Sequence, residues 1–330
     1  MDQMIRDRFT PAVLAVARER YAIAEDAIRL LDGYESHILA FERGDGEFIL
    51  RMSHSSRRTA DLIRGEADWI NCLAAGGAGV ARAVESPRGE LVEPVDDGAD
   101  GQFLATAFAR APGVTPWRRG WTPALDEAYG RLIGLTHRLT KDYAPPKPEW
   151  RRPEWDDPVF DYVGMYLPAG EALALERYRA ALAHVKALPR GRENYGLTHQ
   201  DAHGGNMHVD DAGRLTLFDF DDCGYHYFAN DIAMCLFYQT VGERNTAERA
   251  REFLTHFMRG YREENAPADW WLAELPAFLK LREIELYAQL HREFDIEHGG
   301  LEAIDDEWCA TYMQGRKERI ESDAPWVPIA

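Results

Sequence analysis

Residues Leu197 to Asp231 read LTHQDAHGGNMHVDDAGRLTLFDFDDCGYHYFAND, and this stretch decides how the rest of the chain is understood. Within it, Met207 to Val209 and Arg214 to Phe218 are short apolar strands around Asp210-Asp211-Ala212-Gly213, a strong hairpin-turn signal. A hairpin there brings Asn206, at the start of the first strand, beside Asp219, at the end of the second. Asp201 stands five residues before Asn206, on the entering loop. Three oxygen-bearing side chains are thereby expected on one spot. Two hard oxygen donors at a strand end suit Mg2+, which takes few protein ligands and keeps room for phosphate and water. The carboxylate of Asp201 is then placed to accept a proton from a hydroxyl.

The order His-x-Asp, then Asn, then Asp-Phe is that of a kinase catalytic loop followed by its metal-binding loop, here His199, Asp201, Asn206 and Asp219-Phe220. The fuller form H-x-D-x-H-x-x-N, with D-F-D-D downstream, resembles the aminoglycoside phosphotransferase and choline kinase-like family. Homoserine-kinase-type and bacterial stress-response kinases are the nearest look-alikes. The resemblance implies an α+β, protein-kinase-like two-lobed fold, with a small β-rich N-lobe and a larger, mainly helical C-lobe. It also implies ATP and Mg2+ as cofactors and transfer of the γ-phosphate to a hydroxyl. Asp201 would be the catalytic base, Asn206 and Asp219 the metal ligands, and His199 and His203 structural supports of the loop. Asp231 opens the next helix; it resembles a family aspartate that braces the loop, and it is equally an ordinary N-cap residue type. Asp221 and Asp222 are candidates for binding an amine of the acceptor, and Asp221 also for assisting the metal.

Upstream lie the elements of the small lobe. Thr10-Pro11 caps a helix that continues to about Tyr21. Ser36 to Glu42 and Glu47 to Met52 flank Arg43-Gly44-Asp45-Gly46 as a β-hairpin. Thr59 to Ala75 is an amphipathic helix, with Leu62, Ile63, Ala67, Ile70, Leu73 and Ala74 on one face and Gly76-Gly77 as its stop. Val80 to Val84, Glu90 to Val95 and Gln102 to Phe108 complete the strands, the last two joined by a turn over Asp96 to Gly101. By resemblance, this lobe supplies the nucleotide clamp. Arg51 stands in the strand where such kinases usually carry a lysine on the α- and β-phosphates, and Glu66 on the following helix is its ion-pair partner. Arginine keeps the charge but is not equivalent. Gly33 and Ser36, in Leu31 to His37, sit where the nucleotide-covering loop belongs, though one glycine is a weak phosphate motif. Thr106 to Ala109, with Phe108, would be the segment whose backbone bonds the adenine.

After Ala111-Pro112-Gly113 strands give way to helical patterns: Pro123 to Asp142, Ala169 to Leu188, Asp231 to Val241, Thr246 to Glu264, Asp269 to Glu293 and Leu301 to Glu321. The Pro-rich stretch Ala144 to Pro158 is a loop, pinned by Trp150 and Trp155. The division expected is an N-lobe over 1–108, a hinge over 109–113 and a C-lobe over 114–330. Trp270-Trp271, Tyr225, Tyr227 and Phe228 are read as core rather than as a cation cage. Arg282, Glu283 and Glu285, on one long helix, face either the acceptor site or solvent, and solvent is the expected side.

Composition narrows the function classes. The 330 residues hold 38 Lys plus Arg against 56 Asp plus Glu, a net charge of −18 that argues against sequence-independent nucleic-acid binding. It leaves room for a cationic acceptor, although solubility alone explains it. No apolar run approaches the ~18 residues of a membrane span, so no membrane partner is expected. Met1 to Tyr21 lacks the apolar stretch of a secretory signal, and a cytoplasmic location is the expectation. Cys72, Cys223, Cys235 and Cys309 have no paired spacing, so neither a disulfide framework nor a cysteine zinc site is indicated. A zinc hydrolase on His199, His203 and His208 fails because Gln200 replaces the glutamate such sites need and Gly204-Gly205 breaks the helix. No G-x-x-x-x-G-K-[ST] motif occurs. The reading is therefore a phosphotransferase acting on a small-molecule alcohol. A protein serine/threonine kinase of the same fold and a non-catalytic nucleotide-binding pseudokinase are the alternatives.

Overall fold

The computed structural model of the chain describes residues 3–327 apart from 32, 34, 45, 243, 244 and 295. Asp32 and Tyr34 of the nucleotide-covering loop and Asp45 of the hairpin turn thus lie outside the described residues. Helices α1 (Gln3–Asp7) and α2 (Pro11–Tyr21) lead to strands β1 (Ile28–Leu31), β2 (His37–Arg43) and β3 (Gly46–His54). Helix α3 (Ala60–Ala75) precedes β4 (Ala83–Val84), β5 (Glu93–Asp96), β6 (Gln102–Ala109) and the short α4 (Pro116–Arg119). Then come α5 (Pro123–Thr140), α6 (Tyr162–Tyr166) and α7 (Ala172–Lys186), followed by β7 (Tyr195–Thr198), β8 (Met207–Val209), β9 (Leu215–Leu217) and β10 (Gly224–Tyr227). The remainder is helical: α8 (Phe228–Gln239), α9 (Ala247–Glu264), α10 (Asp269–Ala273), α11 (Leu275–Glu293), α12 (Ile296–Gly299), α13 (Glu307–Met313) and α14 (Arg316–Glu321). No described helix is long and apolar enough to cross a membrane.

Two units emerge from the contacts. The first comprises Met1–Arg119, Asp142–Arg152 and Asn206–Asp221. Its antiparallel sheet runs β1-β2-β3-β6-β4, with β5 also on β6. The expected hairpin forms, His37 facing Met52 and Arg43 facing Gly46. Thr59 caps α3 by accepting from the Leu62 amide at 3.2 Å. The buried face of α3 carries Ile63, Ala67, Ile70 and Leu73, and also Glu66 and Trp69. Trp69 meets Phe220 edge to face at 5.5 Å. Helix α2 packs Val13, Ala17 and Tyr21 into a core with Leu39, Phe41, Phe48, Leu50 and Phe103. The second hairpin, β8 with β9, also belongs to this unit. Its turn is fixed by the Asp210 carboxylate, which accepts from the Ala212 and Arg214 amides at 2.9 Å each.

The second unit comprises Gly120–Lys141, Pro153–Gly205 and Asp222–Ala330. Here α5 and α9 pack so closely that a Cβ on Gly130 would overlap the Phe257 carbonyl, and one on Gly260 the Glu127 carbonyl. Such glycines let two backbones approach within side-chain distance. Trp271, Tyr227 and Phe228 are buried in the core as expected. Trp155 stacks on His226 at 4.5 Å, and burial lowers the His226 pKa to about 3. Three helical expectations need correction. The 269–293 pattern breaks at Glu274, because Pro276 cannot continue a helix but suits the first turn of α11. The 301–321 pattern breaks around Gly315, whose φ of +66° ends one helix before α14 begins. Helix α8 starts at Phe228, three residues before Asp231. Strands β1, β7 and β10 went unread; each has four residues, too few for an alternation to show. We expect Gly130→Ala to lower stability by about 1–3 kcal/mol, read as a lower urea midpoint with unchanged m-value; an unchanged midpoint contradicts the close α5–α9 packing.

Candidate active site

In the second unit, β7 and β10 pair with Thr198 opposite Gly224, and the chain leaves β7 directly into His199. Two successive amides there point at one carboxylate. Asp231, in the first turn of α8, accepts from the His199 amide at 3.0 Å through Oδ2 and from the Gln200 amide at 2.8 Å through Oδ1. His137 Nε2 of α5 lies 3.1 Å from the same Oδ2, and His137 Nδ1 is 2.8 Å from the Tyr261 hydroxyl of α9. Asp231 is fully buried; burial opposes its charge, but His137 and His199 outweigh it and hold the carboxyl below its ordinary range. The N-cap of α8 is Tyr227, so Asp231 acts as a brace and not as a cap. Between these bonds Gln200 adopts φ +66°, a conformation that non-glycine residues hold only when the surroundings enforce it.

That brace presents Asp201. Its Oδ1 accepts from Arg282 Nη2 of α11 at 3.0 Å, and its Oδ2 is 3.4 Å from His203 Nε2. His203 Nδ1 accepts from the Gly205 amide at 2.9 Å, which directs the ring's own N–H toward the carboxylate. The next carbonyl, of Ala202, accepts from the Tyr129 hydroxyl of α5. Burial pushes the Asp201 carboxyl up, but His203, Arg282 and His199 outweigh it and hold it ionised. Arg282 was read from the sequence as facing solvent; it is instead a largely buried partner of Asp201. Glu283, also read as solvent-facing, is fully buried and accepts from Arg316 at 2.8 Å and Arg319 at 3.0 Å. Asp222 accepts from the Tyr162 hydroxyl at 3.3 Å through its side chain and from Gln200 Nε2 at 3.1 Å through its carbonyl, and stays partly exposed.

The first unit holds the other residues. Arg51 of β3 donates to both oxygens of Glu66, Nη1 to Oε1 at 2.8 Å and Nη2 to Oε2 at 2.7 Å. Burial works against the Arg51 charge, but Glu66, Asp221 and Asp219 secure it. Its guanidinium lies 5.0 Å from the Phe108 ring centre, and Thr106 is its partner across the β3–β6 ladder. Arg51 is itself buried and does not face solvent. Asn206 and Asp219 flank the β8–β9 hairpin, where the Asn206 carbonyl accepts from the Phe218 amide at 2.9 Å. Asp219 is exposed and has φ +61°. A carboxylate and an amide oxygen are donor types that fit Mg2+.

Other expectations change. Asp221 is buried among arginines: Arg57 reaches its Oδ2 at 2.8 Å, Arg58 at 3.9 Å, Arg51 its Oδ1 at 4.0 Å, and Arg152 donates to its carbonyl at 2.6 Å. Burial opposes its ionisation and these arginines override it. A carboxylate so compensated is no seat for an acceptor amine. Ser36 is turned to Ser53, hydroxyl to hydroxyl at 3.0 Å, and Gly33 is needed because a Cβ there would overlap the Ser36 carbonyl. The backbone of 106–109 is already paired with β3 and β4, so it is not open to an adenine as expected. The three histidines of the zinc alternative go to separate partners, and no metal-sized group of three His, Cys, Asp or Glu occurs among the described residues. Arg57, Arg58, Arg152, Tyr129, His137 and Tyr238 escaped the sequence reading; each arrives from a distant segment with no local motif.

Asp231→Asn puts an amide, with one accepting oxygen, before two N–H donors. We expect a stability loss of about 1–3 kcal/mol by chemical denaturation, with at least a tenfold fall in turnover; full turnover contradicts the brace.

The chain matches the model of the phosphotransferase enzyme family over residues 26–271. It is 37% identical to amicoumacin kinase of Bacillus subtilis (strain 168) over 317 residues, covering 95% of this chain and 92% of that one. The solved amicoumacin kinase hAmiN, in complex with AMP-PNP, Ca2+ and Ami, is 32% identical with a TM-score of 0.91, over 100% of this chain and 98% of that one. A microcompartment-associated aminopropanol kinase shares the fold, with a TM-score of 0.76 at 22% identity over 96% and 99% of the two chains. With its catalytic-loop motif, its hairpin and its small antiparallel sheet, this chain belongs to the phosphotransferase enzyme family, as an enzyme of the protein-kinase-like fold.

Proposed function

We propose that the chain transfers the γ-phosphoryl group of ATP to a hydroxyl of a small amine-bearing molecule, with Asp201 orienting that hydroxyl and receiving its proton. One observation carries this reading: an ionised, partly exposed carboxylate held on a loop whose backbone Asp231 fixes. Catalysis of phosphoryl transfer is chiefly positioning and electrostatic stabilisation, so a weakly basic, well-held carboxylate suits it. Asn206 and Asp219 would hold Mg2+, which supplies positive charge on the phosphates. Arg51, fixed by Glu66, would steady the phosphates from β3. His199 and His203 support the loop, and Asp222 is the remaining acidic neighbour for an acceptor amine. The same reading assigns 1–108 to nucleotide binding, 109–113 to the hinge and 114–330 to the catalytic loop and acceptor.

The names of the relatives, amicoumacin kinase and aminopropanol kinase, support a small-molecule acceptor over a protein serine or threonine. The net charge of −18 is compatible with a cationic one. Isothermal titration of ATP with and without Mg2+, followed by an ATP-consumption screen over amino-alcohols, amine-bearing antibiotics and protein substrates, tests the proposal. We expect Mg2+-dependent binding and turnover with a small alcohol; nucleotide binding without turnover would favour the pseudokinase, and turnover with protein alone the protein kinase. Asp201→Ala is expected to abolish transfer while Mg-ATP affinity stays within threefold, whereas Asp219→Ala loses the Mg2+ dependence of binding.

A further inference from the structure

Arg282 comes from α11, 81 residues beyond Asp201, yet ends on its carboxylate. Its side chain is only 12% exposed. Nη2 bonds Asp201 Oδ1 at 3.0 Å and also donates to the Tyr238 hydroxyl of α8. The guanidinium lies 5.4 Å from the centre of the Tyr238 ring, a cation–π distance. Tyr238 is itself fixed, 4.5 Å from the His203 ring and 6.4 Å from Trp308. An arginine loses its hydration on burial and stays only where neighbours restore the interactions. Here a ring, a hydroxyl and a carboxylate do so, and they leave the side chain a single direction.

The geometry points to Arg282 as a positioning residue for phosphoryl transfer: by engaging Oδ1 of Asp201 it fixes the carboxylate and leaves Oδ2, on the His203 side, to meet the acceptor hydroxyl. This rests on the reading of Asp201 given above. His203 Nε2 lies 3.4 Å from Oδ2, and a carboxylate oxygen has a second lone pair with which to accept from an acceptor hydroxyl. In the transfer, the acceptor proton passes to Oδ2 and the acceptor oxygen bonds the γ-phosphorus. The bond from that phosphorus to the β–γ bridging oxygen breaks, and its electron pair departs on ADP. Freed from Arg282, the carboxylate would rotate about its side-chain bonds, and a misplacement of about 1 Å costs up to a hundredfold in rate.

The test compares Arg282→Met, Arg282→Lys, Tyr238→Phe and Asp201→Ala, with the best alcohol of the screen as acceptor and with water alone. Arg282→Met should lower kcat tenfold to a hundredfold in both assays while KM for ATP changes less than twofold. Arg282→Lys, which keeps charge and a donor, should recover at least half of that loss on a logarithmic scale. Tyr238→Phe should lower kcat severalfold, and it carries the test with Arg282→Lys if Arg282→Met does not fold. A folded Arg282→Met within twofold of wild-type kcat overturns the proposal. So does a matched loss of ATP affinity, or a folded Arg282→Lys as impaired as Arg282→Met. If Asp201→Ala retains wild-type turnover, the reading of Asp201 falls; if Asp201→Ala is inactive and Arg282→Met is not impaired, only the role of Arg282 falls.

Discussion

The buried carboxylate of Asp231 is the constraint on which the catalytic loop depends. A carboxylate without exposure is costly unless its oxygens are bonded, and here two backbone amides and a histidine meet that demand. The arrangement works in both directions. Asp231 holds Gln200 at a positive φ, and the loop in return supplies the donors that keep Asp231 ionised. Because His137 lies on α5 and bonds Tyr261 on α9, the loop inherits the rigidity of two helices joined by glycine contacts. Tyr129, on α5, adds a bond to the carbonyl after Asp201.

A second pattern is the use of arginine in a strongly acidic chain. Arg51, Arg57, Arg58 and Arg152 gather on Asp221, and Arg282 on Asp201. Arginine rather than lysine stands at position 51, and the geometry gives a reason: its two terminal nitrogens make parallel bonds to the two Glu66 oxygens, a fork that a single ammonium nitrogen cannot reproduce. Asp221, with Glu66, helps so many cations coexist in one unit, since buried acids among them offset part of their mutual repulsion. Its neighbour Asp219 remains exposed.

Features written in local chemistry were legible. The β8–β9 hairpin follows from Asp210 and Gly213, and α3 from Thr59 and a 3.6-residue apolar period, whereas the Arg51–Glu66 pair came from the family resemblance. The family resemblance, carried by His199 to Asn206 and Asp219-Phe220, led to the fold. What stayed hidden depends on long-range encounters. Nothing near Arg282 marks it as a partner of Asp201, because the polar face of a helix looks the same toward solvent and toward a carboxylate. Asp221 looked like an acidic neighbour open to an amine; only folding brings arginines 57, 58 and 152 to it. The breaks in the last helices followed Pro276 and Gly315, single residues that an otherwise continuous helical pattern outweighed.

The central claim is that this chain moves one phosphoryl group from ATP to an alcohol. Phosphorus NMR of a reaction containing the wild-type protein, Mg-ATP and the acceptor tests it most directly. The account predicts one new phosphate monoester resonance growing in step with ADP. Release of pyrophosphate with a nucleotidyl product, or inorganic phosphate with no monoester for any alcohol, would contradict it.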